Sequence, residues 1–193
     1  NSVISPRAYL LPQTEPIFEI KSAAKNELVP VDDKKRRVFY GIRPCDIKAL
    51  ELMQEFFLEG FADTFYKQKI ENSIFIALSC NKPCSENSFC YEMSAGPVAK
   101  SGFDLQLMPV SRGFVVEIGS KLGGHITKAH RMLFGKSAPS DEKEIEKTEE
   151  KFIEGTNTYH IKLRQEQQVE DAIKEFSSIP EVLYAEPNYK IKL

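Results

Sequence analysis

The chain has no apolar run approaching the roughly 18 residues that span a bilayer. Its N-terminus also lacks the charged, apolar and small-residue regions of a signal peptide. Both absences argue against a membrane protein, and a cytoplasmic location is expected. Charge of one sign is missing as well: 26 Lys and Arg are scattered among 28 Asp and Glu, for a formal net charge of −2. Nucleic acids and anionic membranes are recognised by concentrated basic patches, so neither is expected as a partner. Histidine is scarce. His125 and His130 are spaced so that a helix would not align them on one face, and His160 is isolated in a strand-like run. No nucleophile, base and orienting acid can be assembled at a readable spacing, so catalysis within the chain has no positive support. The chain begins at Asn1 rather than methionine, and a fragment of a longer protein is the expectation.

What is present is a set of four cysteines, three of them in residues 74–97, IFIALSCNKPCSENSFCYEMSAGP. Cys80 ends an apolar run, and Cys84 and Cys90 follow in a loop. The fourth, Cys45, stands in Arg43-Pro44-Cys45-Asp46, just after the β-rich run 38–42. From Asp46 onward, Ile47, Leu50, Met53, Phe56 and Phe57 recur at spacings of three and four, the pattern of a helix with one face on a core. Pro44 suits a helix start, where its missing amide hydrogen has no intrahelical acceptor. That places Cys45 near a helix N-terminus, where the dipole favours thiolate over thiol.

Residues 73–79 are apolar at both alternating positions, as in a strand buried on both faces. A loop containing Gly60, Tyr66 and Lys67 is expected before it. Strand, helix and strand in this order make a βαβ unit whose two strands run parallel. Their carboxyl ends then share one sheet edge, which brings Cys45 and Cys80 together where open α/β sheets bind ligands. The long loop 81–102 is of a kind that is usually functional or disordered. Residues 104–110 and 114–118 read as a hairpin turning at Ser111-Arg112-Gly113.

Upstream, residues 8–11 and 17–20 are short apolar pieces among Pro6, Pro12, Pro16 and Pro30, and are expected as edge strands and turns. The charge run 32–37 is expected to be a solvated loop without a role. Gly119-Ser120-Lys121-Leu122-Gly123-Gly124-His125 superficially suggests a phosphate loop, but histidine stands where Lys followed by Ser or Thr is needed. Residues 126–152 are charged and helix-prone, with Ser140-Asp141-Glu142-Lys143 resembling a helix start. In the last forty residues, 159–163, 169–176 and 182–191 form a second strand-helix-strand pattern, too small to bury a core alone.

Four thiols meeting at one place point to metal chemistry before disulfides in a cytoplasmic protein. Cys45, Cys80, Cys84 and Cys90 match the number of thiolates of a 4Fe–4S cluster, although C-x3-C-x5-C is not the tight ferredoxin spacing. A four-cysteine zinc site is the rival, though its usual C-x2-C pairs are missing. Plain buried cysteines are the third reading.

Tyr40-Gly41-Ile42-Arg43-Pro44-Cys45-Asp46, Glu71-Asn72-Ser73-Ile74-Phe75-Ile76 leading to Cys80, Ser88-Phe89-Cys90, Met93-Ser94-Ala95-Gly96-Pro97 and Gly102-Phe103-Asp104-Leu105 occur in a familiar order. Over residues 5–150 the chain resembles the iron-sulfur β-subunit family of cytoplasmic sulfhydrogenases and anaerobic sulfite reductases. The resemblance implies an electron-transfer role between a flavin and nucleotide-binding partner on one side and the catalytic subunit on the other. It implies cluster ligands at Cys45, Cys80 and Cys90. The family often has Cys-Phe-Cys where Ser88-Phe89-Cys90 stands here, so one expected thiolate is absent: either Cys84, four residues earlier, replaces it, or Ser88 leaves the cluster labile. The family's ferredoxin-type cluster motifs are missing, which leaves at most one cluster.

The tail motifs Tyr159-His160-Ile161-Lys162-Leu163, Val169-Glu170-Asp171-Ala172-Ile173 and Val182-Leu183-Tyr184-Ala185-Glu186-Pro187-Asn188-Tyr189 resemble the second half of a subtilisin-like protease prodomain. That resemblance implies half of a ferredoxin-like fold and a subtilisin-like protease as partner. The expected fold is α/β, a small mixed sheet with a βαβ core, then a helical linker and a C-terminal βαβ unit. The expected domains are 1–125, an iron-sulfur subunit-like domain; 126–152, the linker; and 153–193, the prodomain-like unit.

Overall fold

The apolar strand before Cys80 is a central strand of a four-stranded mixed sheet in the computed structural model, which describes residues 5–22, 27–85 and 87–154 together with Asp171, Lys174 and Ser178. The elements in order are α1 (Arg7–Leu10), β1 (Phe18–Ser22), β2 (Glu27–Pro30), β3 (Arg37–Ile42), α2 (Pro44–Leu58) and α3 (Thr64–Glu71). Next come β4 (Ser73–Leu78), β5 (Leu105–Val110), β6 (Gly113–Ile118), α4 (Lys121–Ala129), a 3₁₀ turn (Arg131–Leu133) and α5 (Pro139–Glu154). The protein is a mixed α/β fold, as its sequence indicates. The chain divides into two compact units, Asn1–Thr156 and Asn157–Leu193. Strands β1 to β6 and helices α1 to α5 belong to the first. The expected C-terminal βαβ pattern lies outside the described residues, as does His160.

The sheet order is β3-β4-β5-β6, with β3 parallel to β4, β4 parallel to β5, and β5 antiparallel to β6. The parallel pairing of β3 and β4 is the βαβ geometry inferred from the strand-helix-strand order. Its register runs from Arg37 opposite Ser73 to Tyr40 opposite Ile76, then shifts so that Ile42 faces Ala77. Gly41 sits in that shift with φ +73°, a conformation costly for any residue with a Cβ.

Alternation decides which side of β4 is buried. Phe75 and Ala77 point into a core with Leu10, Ile42, Ile47, Leu50, Tyr66 and Phe103, whereas Ile74, Ile76 and Leu78 are half-buried. The expectation of burial on both faces therefore holds fully on one face only. Phe39 on β3 stacks on Phe75, with ring centroids 5.5 Å apart.

Helix α2 forms where the apolar spacing indicates, and Pro44, Ile47 and Leu50 are its buried residues. Phe56, expected on the same stripe, is exposed; one position round the helix, Phe57 packs on Tyr66 with centroids 5.1 Å apart. The loop expected around Tyr66 contains α3 instead. The Asp63 side chain caps it, accepting from the amides of Phe65 and Tyr66 at 2.9 Å, a contribution of about 1 kcal/mol. Residues 8–11, read as an edge strand or turn, lie mostly in the single turn α1, which Pro6 precedes without breaking it. The charge run is also less idle than expected: Arg37 Nη2 pairs with Asp33 Oδ2 at 2.6 Å at the amino end of β3.

The expected hairpin is β5 and β6, paired from Leu105 opposite Ile118 to Val110 opposite Gly113. Helix α5 docks on its turn: Glu144 accepts from the Ser111 amide at 2.7 Å and from its hydroxyl at 2.9 Å.

Candidate metal centre

Each cysteine is placed by a short run of backbone. Arg43 leaves β3 in extended conformation as the N-cap of α2, Pro44 is its first residue, and Cys45 lies in the first turn. Cys80 follows β4 by two residues, and its amide donates to the Pro97 carbonyl at 2.9 Å, which ties the two ends of the cysteine loop together. Cys90 opens a tight turn in which its carbonyl accepts from the Ala95 amide at 2.7 Å. A Cβ built on Gly96 would stand 3.2 Å from the Cys90 Cβ and 3.9 Å from Cζ of the buried Phe152, so Gly96 leaves Cys90 its room.

The loop is also anchored from β5. Gln106, fully buried, holds Ala99 on both sides: its Oε1 accepts from the Ala99 amide at 2.7 Å, and its Nε2 donates to the Ala99 carbonyl at 3.2 Å. A small open pocket of about 10 Å³ beside Cys80 is lined by Pro97, Met108, Ile145 and Thr148, room for one water at most.

All four thiols are free cysteines. Burial pushes the Cys80 thiol up; the Arg43 guanidinium pulls it back down, and charge on Cys45, Cys84 and Cys90 raises it further. Cys90 is pushed up by burial, then by Cys84 and Glu92. Cys45 keeps much of its side chain exposed, yet the protein around its sulfur pushes the thiol up, followed by the charges of Asp46 and Cys90. That direction is opposite to the one expected from the helix N-terminus, and burial is its leading cause. A ligand that needs thiolates releases protons as it binds here.

Ser88, which stands where the resemblance implied a cysteine, is occupied locally. Its Oγ accepts from the Ser85 amide at 3.0 Å and lies 3.3 Å from the Ser85 hydroxyl. Cys84 is the residue of that segment whose charge reaches Cys80 and Cys90.

Among the described residues, no three His, Cys, Asp or Glu converge closely enough to hold a single metal ion. A zinc ion gathers all four thiolates onto one atom. In a 4Fe–4S cluster each thiolate binds a different iron, so the four sulfurs stand farther apart. The donor set itself, four thiols, is of the kind that either a zinc ion or a 4Fe–4S cluster takes. His125 and His130 are both exposed on or after α4.

Arg43 is the functional candidate that sequence reasoning passed over, having registered only as the end of a strand. Its Nη1 donates to the Ser79 carbonyl at 3.3 Å and stands 3.9 Å from Cys80 Sγ. The readable signal was a cation two residues before a cysteine at a parallel-strand end. The glycine-rich stretch has a packing explanation instead. Ser120 caps α4 by accepting from the Gly123 amide at 3.0 Å, and Gly123 lies so close to β5 that a Cβ would meet the Asp104 carbonyl oxygen at 1.9 Å.

A second cleft, of about 500 Å³, lies near the amino end of β3. Its charges are largely matched: Lys69 pairs with Glu15, Arg37 with Asp33, and Lys34 with Asp32. Among the described residues, no helix is long and apolar enough to cross a membrane.

Over 152 residues, 78% of the chain, the sequence is 24% identical to the Sulfhydrogenase 2 subunit beta of Pyrococcus furiosus. The chain spans 43% of that protein's length. Residues 135–188 match the family described as Fervidolysin N-terminal prodomain. No solved structure matches. The chain is thus similar to a sulfhydrogenase subunit over most of its length and to a Fervidolysin N-terminal prodomain over residues 135–188.

Proposed function

We propose that this chain is an electron-transfer module of an oxidoreductase complex, with one 4Fe–4S cluster held by Cys45, Cys80, Cys84 and Cys90. The observation that supports this reading is that Cys45 and Cys80 follow the carboxyl ends of the adjacent parallel strands β3 and β4, with Cys84 and Cys90 in the loop that the Cys80 amide closes onto the Pro97 carbonyl at 2.9 Å. A cluster bound there supplies one-electron transfer at a potential set by nearby charge, hydrogen bonds and burial. The residues' own part is to present four thiolates from two strand ends and one loop, with Gly96 and Gln106 fixing the loop's shape. The partners are a flavin and nucleotide-binding subunit on one side and a catalytic subunit on the other, in keeping with the similarity to a sulfhydrogenase β subunit.

Anaerobic reconstitution with ferrous iron and sulfide tests the reading. The expected product contains equal amounts of iron and sulfide and has a broad visible absorption that bleaches on reduction with dithionite. A colourless protein that takes up zinc alone overturns it.

The prodomain match favours a separate reading for the end of the chain. We infer that residues 153–193 form a prodomain-like unit, joined through residues 126–152 to the cysteine-bearing part, and that this unit binds a subtilisin-like protease. Adding the full chain to such a protease should slow its hydrolysis of a peptide substrate. Unchanged hydrolysis at a large excess of the chain rules this out.

A further inference from the structure

We propose that Arg43 sets the reduction potential of the cysteine site, its guanidinium holding a positive charge against the Cys80 ligand from the N-cap of the neighbouring helix. The inference rests on the cluster reading and adds to it a residue that is not a ligand.

Arg43 is built into its place. It is the N-cap of α2, directly between the end of β3 and the Pro44-Cys45 start of the helix, and its Nη1 donates across to the Ser79 carbonyl at 3.3 Å. The same nitrogen stands 3.9 Å from Cys80 Sγ. Among the described residues no carboxylate lies within ion-pair distance of it, whereas Arg37, Lys69 and Arg112 each have one. The charge of Arg43 is therefore directed at the thiols.

Four thiolates around a 4Fe–4S core carry net negative charge, and reduction adds one electron without a proton. A fixed cation beside one sulfur stabilises the more negative, reduced state more than the oxidised one. A hydrogen bond donated to a ligand sulfur acts in the same direction. Arg43 is thus a positioning and tuning residue: removing its charge makes the site harder to reduce.

The test compares full-length wild type, Arg43→Gln and Arg43→Lys after anaerobic reconstitution. Iron and sulfide content, circular dichroism and the midpoint potential from a dye-mediated dithionite titration are read for each. Arg43→Gln should load the cluster and lower its midpoint so that the ratio of reduced to oxidised protein at the wild-type midpoint falls about tenfold, equivalent to about 59 mV for one electron. Arg43→Lys, which keeps the charge, should stay much closer to wild type. A loaded Arg43→Gln protein with an unmoved midpoint overturns the inference and leaves the cluster reading standing. So does an Arg43→Gln protein that folds as wild type yet holds no cluster, since it assigns Arg43 to assembly alone. Arg43→Met, which retains the apolar stem, is judged by the same two criteria if Arg43→Gln does not fold. A wild-type chain that takes up no iron and sulfide overturns the cluster reading itself and this inference with it.

Discussion

Phe75 and Asp104 are joined by two hydrogen bonds of 2.8 Å each: the Phe75 amide donates to Asp104 Oδ2, and the Asp104 amide donates to the Phe75 carbonyl. The same aspartate receives the Ser120 hydroxyl on Oδ1, and its carbonyl accepts from the Gly119 amide at 3.0 Å. One nearly buried residue therefore binds the middle of β4, the start of β5 and the cap of α4.

Asp104→Ala should be costly for that reason. It leaves the buried Phe75 amide without its acceptor and frees the Ser120 hydroxyl that caps α4. Hydrogen bonds to a charged group contribute about 1.5–3 kcal/mol each, so a loss of about 2–4 kcal/mol is expected by urea denaturation. Asp104→Asn, which keeps one acceptor oxygen, should lose less. A cost below about 1 kcal/mol for the alanine variant would show that the junction is not a stability centre.

The two adjacent glycines of α4 should respond in opposite directions. At Gly123 a new Cβ falls 1.9 Å from the Asp104 carbonyl oxygen and 3.2 Å from Leu105 Cδ2, so the helix must move off the sheet. Gly123→Ala is expected to destabilise by at least the roughly 1–3 kcal/mol typical of overpacking in cores. At Gly124 the nearest atom to a new Cβ is Ile118 Cγ2 at 3.8 Å, ordinary contact. Gly124→Ala should stabilise by up to about 1 kcal/mol through helix propensity. Thermal melts of the two single variants decide it, and equal effects would contradict the packing assigned to Gly123.

The opposite fates of Gly123 and Gly124 also show where sequence reading stops. Apolar patterning is a local signal, and it located α2 and β4, which bury a helical face and an alternating face, while β3 was legible as a β-rich run and the β5–β6 hairpin by its turn at Ser111-Arg112-Gly113. The carboxyl-edge meeting of Cys45 and Cys80 followed from the handed geometry of parallel strands rather than from any motif. Helix α3 was illegible because it is short and charged and owes its start to the Asp63 cap. Phe56 was misplaced because adjacent positions on a helix differ by about 100°, and only packing tells which of Phe56 and Phe57 turns inward. The placement of Arg43 against Ser79 and Cys80 depends on another element, which no local window contains.

Tyr66 should make the fold sensitive to alkali. It is buried, its hydroxyl has no hydrogen-bond partner among the described residues, and burial pushes its pKa up to about 12 from an ordinary 10.0. Because the folded-state value is the higher one, the folded protein keeps the proton over a range where the unfolded chain has lost it. This contribution is full below about pH 10 and fades as pH rises towards about 12, by roughly 2–3 kcal/mol in all. Tyr66→Phe removes both the unpaired hydroxyl and the titration. Its stability relative to wild type, measured by urea denaturation between about pH 8 and 11, should therefore improve as pH rises. A constant difference across that range would count against the assignment.

Replacing the fourth thiol separates the two residues that compete for its role. Ser88 is committed to its own turn through the Ser85 amide and hydroxyl, while the charge of Cys84 reaches both Cys80 and Cys90. Cys84→Ser should therefore reduce cluster occupancy strongly. Losing even a group that supports a metal ligand typically costs about 10–100-fold in affinity, and losing the ligand should cost at least that. Ser88→Cys in the Cys84→Ser background should restore little, because the Ser88 amide, which donates to the Ser85 carbonyl at 3.2 Å, still holds the backbone of position 88 in the 85–88 turn after the hydroxyl is lost. Iron and sulfide content after anaerobic reconstitution and desalting measures both variants. Full occupancy in Cys84→Ser would remove Cys84 from the ligand set, and full rescue by Ser88→Cys would show that the turn opens to let position 88 reach the site.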